Sequence, residues 1–162
     1  MTLEQDAGGR TLMLLTLYGS LRQGGQIGHY LDSLRRLGIS KTGRLPGLRI
    51  YVAGAVPGAV FTGDENDYAI VEYLSAHLTY FNYKKTFKFL DRVEGVEAGL
   101  YRRDQYKTPE GTSWIYTICN PEKYENMPVV HDWLEWTAKD EEEKRRIIES
   151  CNPDPEVLIG FF

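Results

Sequence analysis

The apolar run Leu12–Leu17 stops at Tyr18-Gly19-Ser20-Leu21-Arg22, and this junction constrains the chain more than any other segment. A short apolar run closed by a glycine turn reads as a buried strand. The Gly-Ser turn then sits at a strand end, where successive backbone N–H groups can form an anion-binding concavity. About 70 residues further on, Leu90-Asp91-Arg92-Val93-Glu94-Gly95 ends an expected helix with a carboxylate directly before a glycine. The two segments supply anion-binding amides and one general base, enough for a metal-free acid–base enzyme.

Other classes of function fit less well. A chain of 162 residues suits one domain with a real core. Its net charge of −4 argues against nucleic acid, because phosphate binding needs a cationic face. Arg35-Arg36 and Lys84-Lys85 are short and matched by acids elsewhere. No apolar run approaches the ~20 residues that span a bilayer, so no membrane partner is expected. Glu4 and Asp6 near the N-terminus break the cationic-then-apolar order of a signal peptide. Cys119 and Cys151 allow one disulfide, but two thiols in a reducing cytosol are the favoured reading, and the expected location is cytoplasmic. The three histidines and two cysteines show no metal-ligand spacing, Ser20 lacks a nucleophile-elbow context, and the glycines around Gly24-Gly25 fit no nucleotide loop.

Residues 1–10 read as a flexible tail, 11–136 as the main domain and 137–162 as a helix with an apolar tail packed on it. Ile27, Tyr30, Leu31, Leu34 and Leu37 make one helical face, with Gly38 placed to cap it. Strands are expected at Arg49–Ala53 and, after a Pro57-Gly58 turn, at Ala59–Phe61. A further strand is expected at Tyr68–Leu74, then a helix at Tyr80–Leu90. Leu100–Tyr106 and Ser113–Cys119 form an expected strand pair joined by Thr108-Pro109-Glu110-Gly111. Thr137 and Asp140 suggest a capping box for a last helix, with Glu141–Arg145 and Glu142–Arg146 as i,i+4 pairs. The tail Val157–Phe162 must bury its apolar side chains against its own domain or in a dimer contact. His131-Asp132 reads as a surface dipeptide.

Glu94 stands apart from the other acids. A carboxylate at a helix C-terminus meets the negative end of the macrodipole. With partial burial beneath tyrosines, that position raises its pKa toward neutrality and suits it to proton transfer. Asp91 and Glu97 are the fallback acids.

The ordered set of segments resembles the gamma-glutamylcyclotransferase-like superfamily. Its members have a Tyr-Gly-Ser/Thr-Leu loop and a Glu-Gly glutamate, here Tyr18, Gly19, Ser20 and Leu21 with Glu94-Gly95. Gly54–Val60, Ser113-Trp114-Ile115-Tyr116 and Asp132-Trp133-Leu134 are similar to later segments of the superfamily. The resemblance spans roughly Leu12–Trp136, and the compact form with Leu21-Arg22 looks most like the gamma-glutamylamine branch. It implies an α+β fold, a small mixed β-barrel flanked by helices. It also implies a cofactor-independent enzyme of the acyltransferase or lyase class that cyclises a gamma-glutamyl amine or amino acid to 5-oxoproline. Under it, the loop holds the glutamyl head group and Glu94 moves the protons. Tyr101 and Tyr116 wall the pocket and hydrogen-bond Glu94. The partner is then a small gamma-glutamyl compound, and the protein a monomer or weak homodimer. The alternative is a non-catalytic protein that binds a small acidic metabolite, or serves interactions, on the same fold.

Overall fold

The computed structural model describes residues 8–158. Its elements are β1 (Thr11–Leu17), α1 (Asp32–Leu37), β2 (Ile39–Pro46), β3 (Leu48–Ala53), β4 (Val56–Phe61), β5 (Tyr68–Leu78), α2 (Tyr80–Val93), β6 (Tyr101–Thr108), β7 (Gly111–Ile118), β8 (Val129–Val130), α3 (Trp133–Ala138), α4 (Glu141–Ser150) and α5 (Pro155–Leu158), with 3-10 turns at Gly28–Leu31 and Pro121–Tyr124. The fold is α+β, with helices around a mixed β core. Hydrogen bonding divides the strands between a five-stranded sheet, ordered β2-β5-β1-β7-β6, and a three-stranded sheet, ordered β4-β3-β8.

β1 is the centre of the larger sheet. It pairs antiparallel with β5 from Thr11↔Leu78 to Leu17↔Glu72, and parallel with β7 at Leu15↔Trp114. Side chains alternate across a strand, so Met13, Leu15 and Leu17 face one core while Leu14 packs on the other. Both faces being covered, the run carries almost no polar residue. The Met13 side is shared with Leu34 of α1 and with Tyr83, Phe87 and Leu90 of α2. The opposite core joins Leu48, Ile50 and Val52 of β3 to Val71, Ile115 and Trp133.

α2 is fixed at both ends and along one face. The Thr79 side chain accepts a hydrogen bond from the Asn82 amide at 3.2 Å, a standard N-cap. Tyr83, Phe87 and Leu90, at i, i+4 and i+7, form its buried stripe. Truncating Leu90, which is fully buried, to alanine should cost about 2–5 kcal/mol.

Several local expectations need correction. The helix over Ile27–Leu37 is split into a 3-10 turn and α1. Three residues per turn in the first piece shift the phase, so Leu31 and Leu34 are buried while Tyr30 and Leu37 are exposed. Gly38 has extended backbone at φ −127° and does not cap by a left-handed turn. Its need for glycine is steric, since a Cβ there would lie 2.0 Å from the Ser75 carbonyl oxygen. Pro57-Gly58 lies inside β4, and the chain reverses instead at Gly54–Ala55, with Gly54 at φ 85°. Thr137 belongs to α3 and donates to Leu134 O, whereas Asp140 alone caps α4 through the Glu143 amide at 2.8 Å. The ion pairs recorded on α4 include Lys144–Glu141 and Lys139–Glu143. β2 was not foreseen.

Ile148 of α4 and Val157 of α5 are buried with Trp133 and Trp136. Residues 159–162 of the apolar tail and residues 1–7 of the N-terminal segment lie outside the described residues. Cys119 and Cys151 are free thiols. Among the described residues no helix is long and apolar enough to cross a membrane.

Candidate active site

The backbone decides where Glu94 sits. At the end of α2, the Val96 amide donates to Asp91 O at 2.9 Å and the Gly95 amide to Arg92 O at 3.2 Å. This is the Schellman pattern, which needs a left-handed residue at the turn, and Gly95 supplies it at φ 62°. Glu94 is the residue immediately before that turn. Leu100 closes over Gly95, so that a Cβ on the glycine would lie 2.7 Å from Leu100 Cδ1.

The loop after β1 folds back on itself. Arg22 N donates to Gly19 O at 3.0 Å, Gly25 N to Arg22 O at 2.8 Å and Ile27 N to Ser20 O at 3.0 Å. Among the described residues, the amides of Gly19, Ser20 and Leu21 have no acceptor. Three successive free donors thus lie at the strand end where the sequence led an anion-binding concavity to be expected.

A buried ion pair holds this loop. Arg35 donates through Nε to Glu72 Oε2 at 2.7 Å and through Nη2 to Oε1 at 2.8 Å. The same guanidinium reaches Leu21 O at 2.8 Å and Gly28 O at 2.6 Å. Glu72 also accepts from the Gln23 amide at 2.8 Å and from Ser40 Oγ at 2.6 Å. Burial pushes the Glu72 carboxyl up, but its bonds from Arg35, Ser40 and Gln23 outweigh that and hold it below the usual carboxylate range. Arg22, also buried, pairs with Asp132 at 2.8 Å, and Asp132 caps α3 through the Leu134 amide. His131 stacks on Tyr68 at 3.9 Å. His131 is exposed and Asp132 half-buried, so the dipeptide lies at the surface and its contacts also tether the loop and α3.

All seven residues singled out in the sequence line one cavity of about 220 Å³: Tyr18, Gly19, Ser20, Leu21, Glu94, Tyr101 and Tyr116. Pro57, Val56 and Leu100 also line it. A larger cavity of about 600 Å³ lies between Gly24–Gln26, Gly54-Ala55 and helices α3 and α4, and contains none of the seven. The carboxyl of Glu94 and the acceptor-free amides are in the smaller cavity.

The tyrosines do not bond Glu94 as expected. Tyr18 donates its hydroxyl proton to Tyr116 O at 2.5 Å, Tyr101 to Pro57 O at 2.5 Å and Tyr116 to Asp91 Oδ1 at 2.7 Å. Asp91 is held in turn by Arg103 at 2.8 Å, which places this fallback acid in a structural pair. Each phenol has a single proton to give, so none donates to Glu94. Among the described residues nothing hydrogen-bonds the Glu94 carboxylate. Burial acts on it unopposed and pushes its pKa up to about 7. Burial likewise raises all three phenols, with the Glu94 charge adding to each.

Sequence reading missed the Arg35–Glu72 clamp. Its signal was a carboxylate in the middle of the apolar strand Ala69–Leu74, which is tolerated only when paired.

Residues 15–137 match the sequence model of a family described as gamma-glutamyl cyclotransferase, AIG2-like. A Vibrio cholerae protein named "Putative gamma-glutamylcyclotransferase" is 32% identical over 122 residues, covering 75% of this chain and 96% of that protein. In fold the chain is similar to a uropathogenic Escherichia coli-specific protein, with a TM-score of 0.57 and 16% identity over 80% of this chain and 98% of the other. It is also similar to an Arabidopsis thaliana protein solved in solution, with a TM-score of 0.53 and 21% identity over 86% and 87% of the two chains.

Proposed function

Because the chain belongs to the gamma-glutamyl cyclotransferase, AIG2-like family, we propose that it cyclises a gamma-glutamyl amide to 5-oxoproline with release of the amine, and that Glu94 carries the protons. One observation supports this reading above the others. A carboxyl titrating near 7 and three acceptor-free amides line the same small cavity.

The substrate brings its own nucleophile, its α-amine. Glu94 takes one proton from the α-ammonium, and the freed nitrogen attacks the side-chain carbonyl carbon to close a five-membered ring. The carbonyl electrons move to oxygen and return as the amide C–N bond breaks. Glu94 delivers its proton to the departing nitrogen. The second proton of the attacking nitrogen follows the same route, so the amine leaves as its ammonium. A group that must both take and give a proton near neutrality works best with a pKa near 7. The amides of Gly19, Ser20 and Leu21 hold the substrate carboxylate or the developing oxyanion. The walls of Tyr18, Tyr101 and Tyr116 hold the folded-back conformer, and positioning of an intramolecular attack supplies much of the barrier reduction.

The test is 5-oxoproline release from a panel of gamma-glutamyl amines and amino acids, by wild type and by Glu94→Gln. Wild type should turn over at least one compound, and the variant should be folded and slower by ~100-fold or more. Full activity in folded Glu94→Gln would remove the mechanism.

A further inference from the structure

Asp91 and Glu94 lie one turn apart at the end of α2, in opposite surroundings. Two donors converge on one oxygen of Asp91. The Tyr116 hydroxyl reaches Oδ1 at 2.7 Å and Arg103 Nε reaches the same atom at 2.8 Å, while Arg103 Nη2 bonds Oδ2 at 3.1 Å. The guanidinium is itself fixed, because Arg103 Cζ lies 4.2 Å from the Phe87 ring centre and 4.8 Å from that of Trp114. Among the described residues no lysine, arginine or histidine lines the Glu94 cavity, whose other titratable groups are Tyr18, Tyr101 and Tyr116. Outside it, Arg92 and Glu97 are exposed neighbours along the chain, Arg102 pairs with Asp104 on β6, and Arg22 of the amide loop pairs with Asp132. Tyr18 and Tyr101 donate to main-chain carbonyls. Tyr116 is the phenol of the three that donates to a side chain, so one residue decides where its proton points.

We propose that Asp91 is a positioning residue for the reaction: clamped by Arg103, it holds the Tyr116 hydroxyl and so leaves the Glu94 carboxyl without a hydrogen-bond donor. This rests on the reading of Glu94 as the proton carrier. Without the Asp91 carboxylate, Tyr116 has Glu94 as its next acceptor, one turn along the same helix end and on the cavity wall the two share. Burial and the bond to Asp91 raise the Tyr116 phenol most, and the Glu94 charge adds to them, so the two groups already act on each other. A phenol that donates to a carboxylate stabilises its charged form. Glu94 would then be a weaker base, with one oxygen tied to the wall instead of open to the substrate.

The side-chain carboxyl resonance of Glu94 in isotope-labelled protein, identified by its loss in Glu94→Gln, reports the titration without any substrate. Its midpoint in wild type should lie near 7. In Asp91→Ala it should fall to about 6, the scale of one hydrogen bond to a charged group. Asp91→Asn removes the same charge but keeps the oxygen that accepts Tyr116 and Arg103 Nε, and should hold the wild-type midpoint. Asp91→Ala with Tyr116→Phe should restore that midpoint, and Tyr116→Phe alone should leave it unmoved. Asp91 and Arg103 are both partly exposed, so losing their pair should leave the fold intact. Should Asp91→Ala fail to fold, Tyr116→Phe alone still decides, since a rise there means the hydroxyl was on Glu94 all along. An unmoved midpoint in Asp91→Ala, an equal fall in Asp91→Asn, or a double variant that stays low overturns the proposal. The ascending limb of 5-oxoproline release should shift with the midpoint in each variant, and a limb that stays put while the midpoint moves overturns it as well. If the midpoints follow the expected pattern and no gamma-glutamyl compound is turned over, the cyclisation reading falls, while the hold of Asp91 on the hydroxyl stands.

Discussion

The ring of Pro57 fills the space that a side chain at Gly19 would need: a Cβ on Gly19 would lie 2.3 Å from Pro57 Cγ. Gly19 is not among the glycines with positive φ, so its requirement comes from this contact and not from backbone conformation. The packing joins the amide loop to β4, whose Pro57 carbonyl also receives the Tyr101 hydroxyl. Gly19→Ala should therefore destabilise the fold by about 1–3 kcal/mol, the usual scale of overpacking, and lower activity. In Pro57→Ala the nearest remaining side-chain atom is Cβ, at 3.5 Å from the new methyl group, an ordinary contact. The double variant should regain most of the lost melting temperature. A cycle of thermal melts on the four proteins measures the coupling, and additive losses would contradict the contact.

The pH profile of turnover should carry an ascending limb near 7, set by ionisation of Glu94. An unperturbed glutamate would place it near 4.3. Initial rates of 5-oxoproline release between pH 4 and 9 check this, and a limb at about 4 would contradict burial as the controlling influence.

Glu94 also ties stability to pH, with a definite sign. Its folded pKa lies above the unfolded value of 4.5. The folded state therefore holds its proton more tightly, and the side chain becomes increasingly destabilising as pH rises from about 4.5 to about 7. Glu94→Gln keeps the neutral shape at every pH. The melting temperature of the variant minus that of wild type should grow across this window and then level off. A difference that stays flat, or shrinks as pH rises, would overturn the assignment.

Glu72 should behave in the opposite sense. Its pKa is depressed, so its contribution is present at neutral pH and lost as pH falls through the folded value. Glu72→Ala leaves the Arg35 guanidinium with only the exposed Asp32 carboxylate at 3.2 Å as an ion-pair partner and should cost about 3 kcal/mol. It also frees the Gln23 amide and loosens the clamp on Leu21 O. Denaturant melts should show the loss, and in any fraction that still folds KM should rise more than kcat falls. If stability is unchanged in Glu72→Ala, the pair is not a clamp.

What the sequence revealed follows from where each signal is local. β1 was legible because burial on both faces leaves an unbroken apolar run. The end of α2 was legible because a Schellman turn writes its glycine into the chain next to Glu94. The β6–β7 hairpin was legible because Pro109-Glu110 is a turn pair between alternating runs. β2 was not, because it is an edge strand exposed at nearly every position except Leu45, so its pattern is polar and its identity comes from pairing with β5. The hydroxyl partners of Tyr18, Tyr101 and Tyr116 were equally hidden, since they depend on carbonyls and a carboxylate brought in from other elements. All seven expected pocket residues meet, but the Glu94 shift comes from burial alone, because the tyrosines give their protons elsewhere.

The Schellman turn has a mechanical consequence. Two main-chain hydrogen bonds pin the α-carbon of Glu94, while nothing among the described residues holds its carboxyl. The side chain is a pivoted arm: the hinge is rigid and the hand is free. A proton carried between two nitrogens on either side of one carbonyl needs such an arm, because a carboxyl locked toward one nitrogen would serve it well and leave the other unattended.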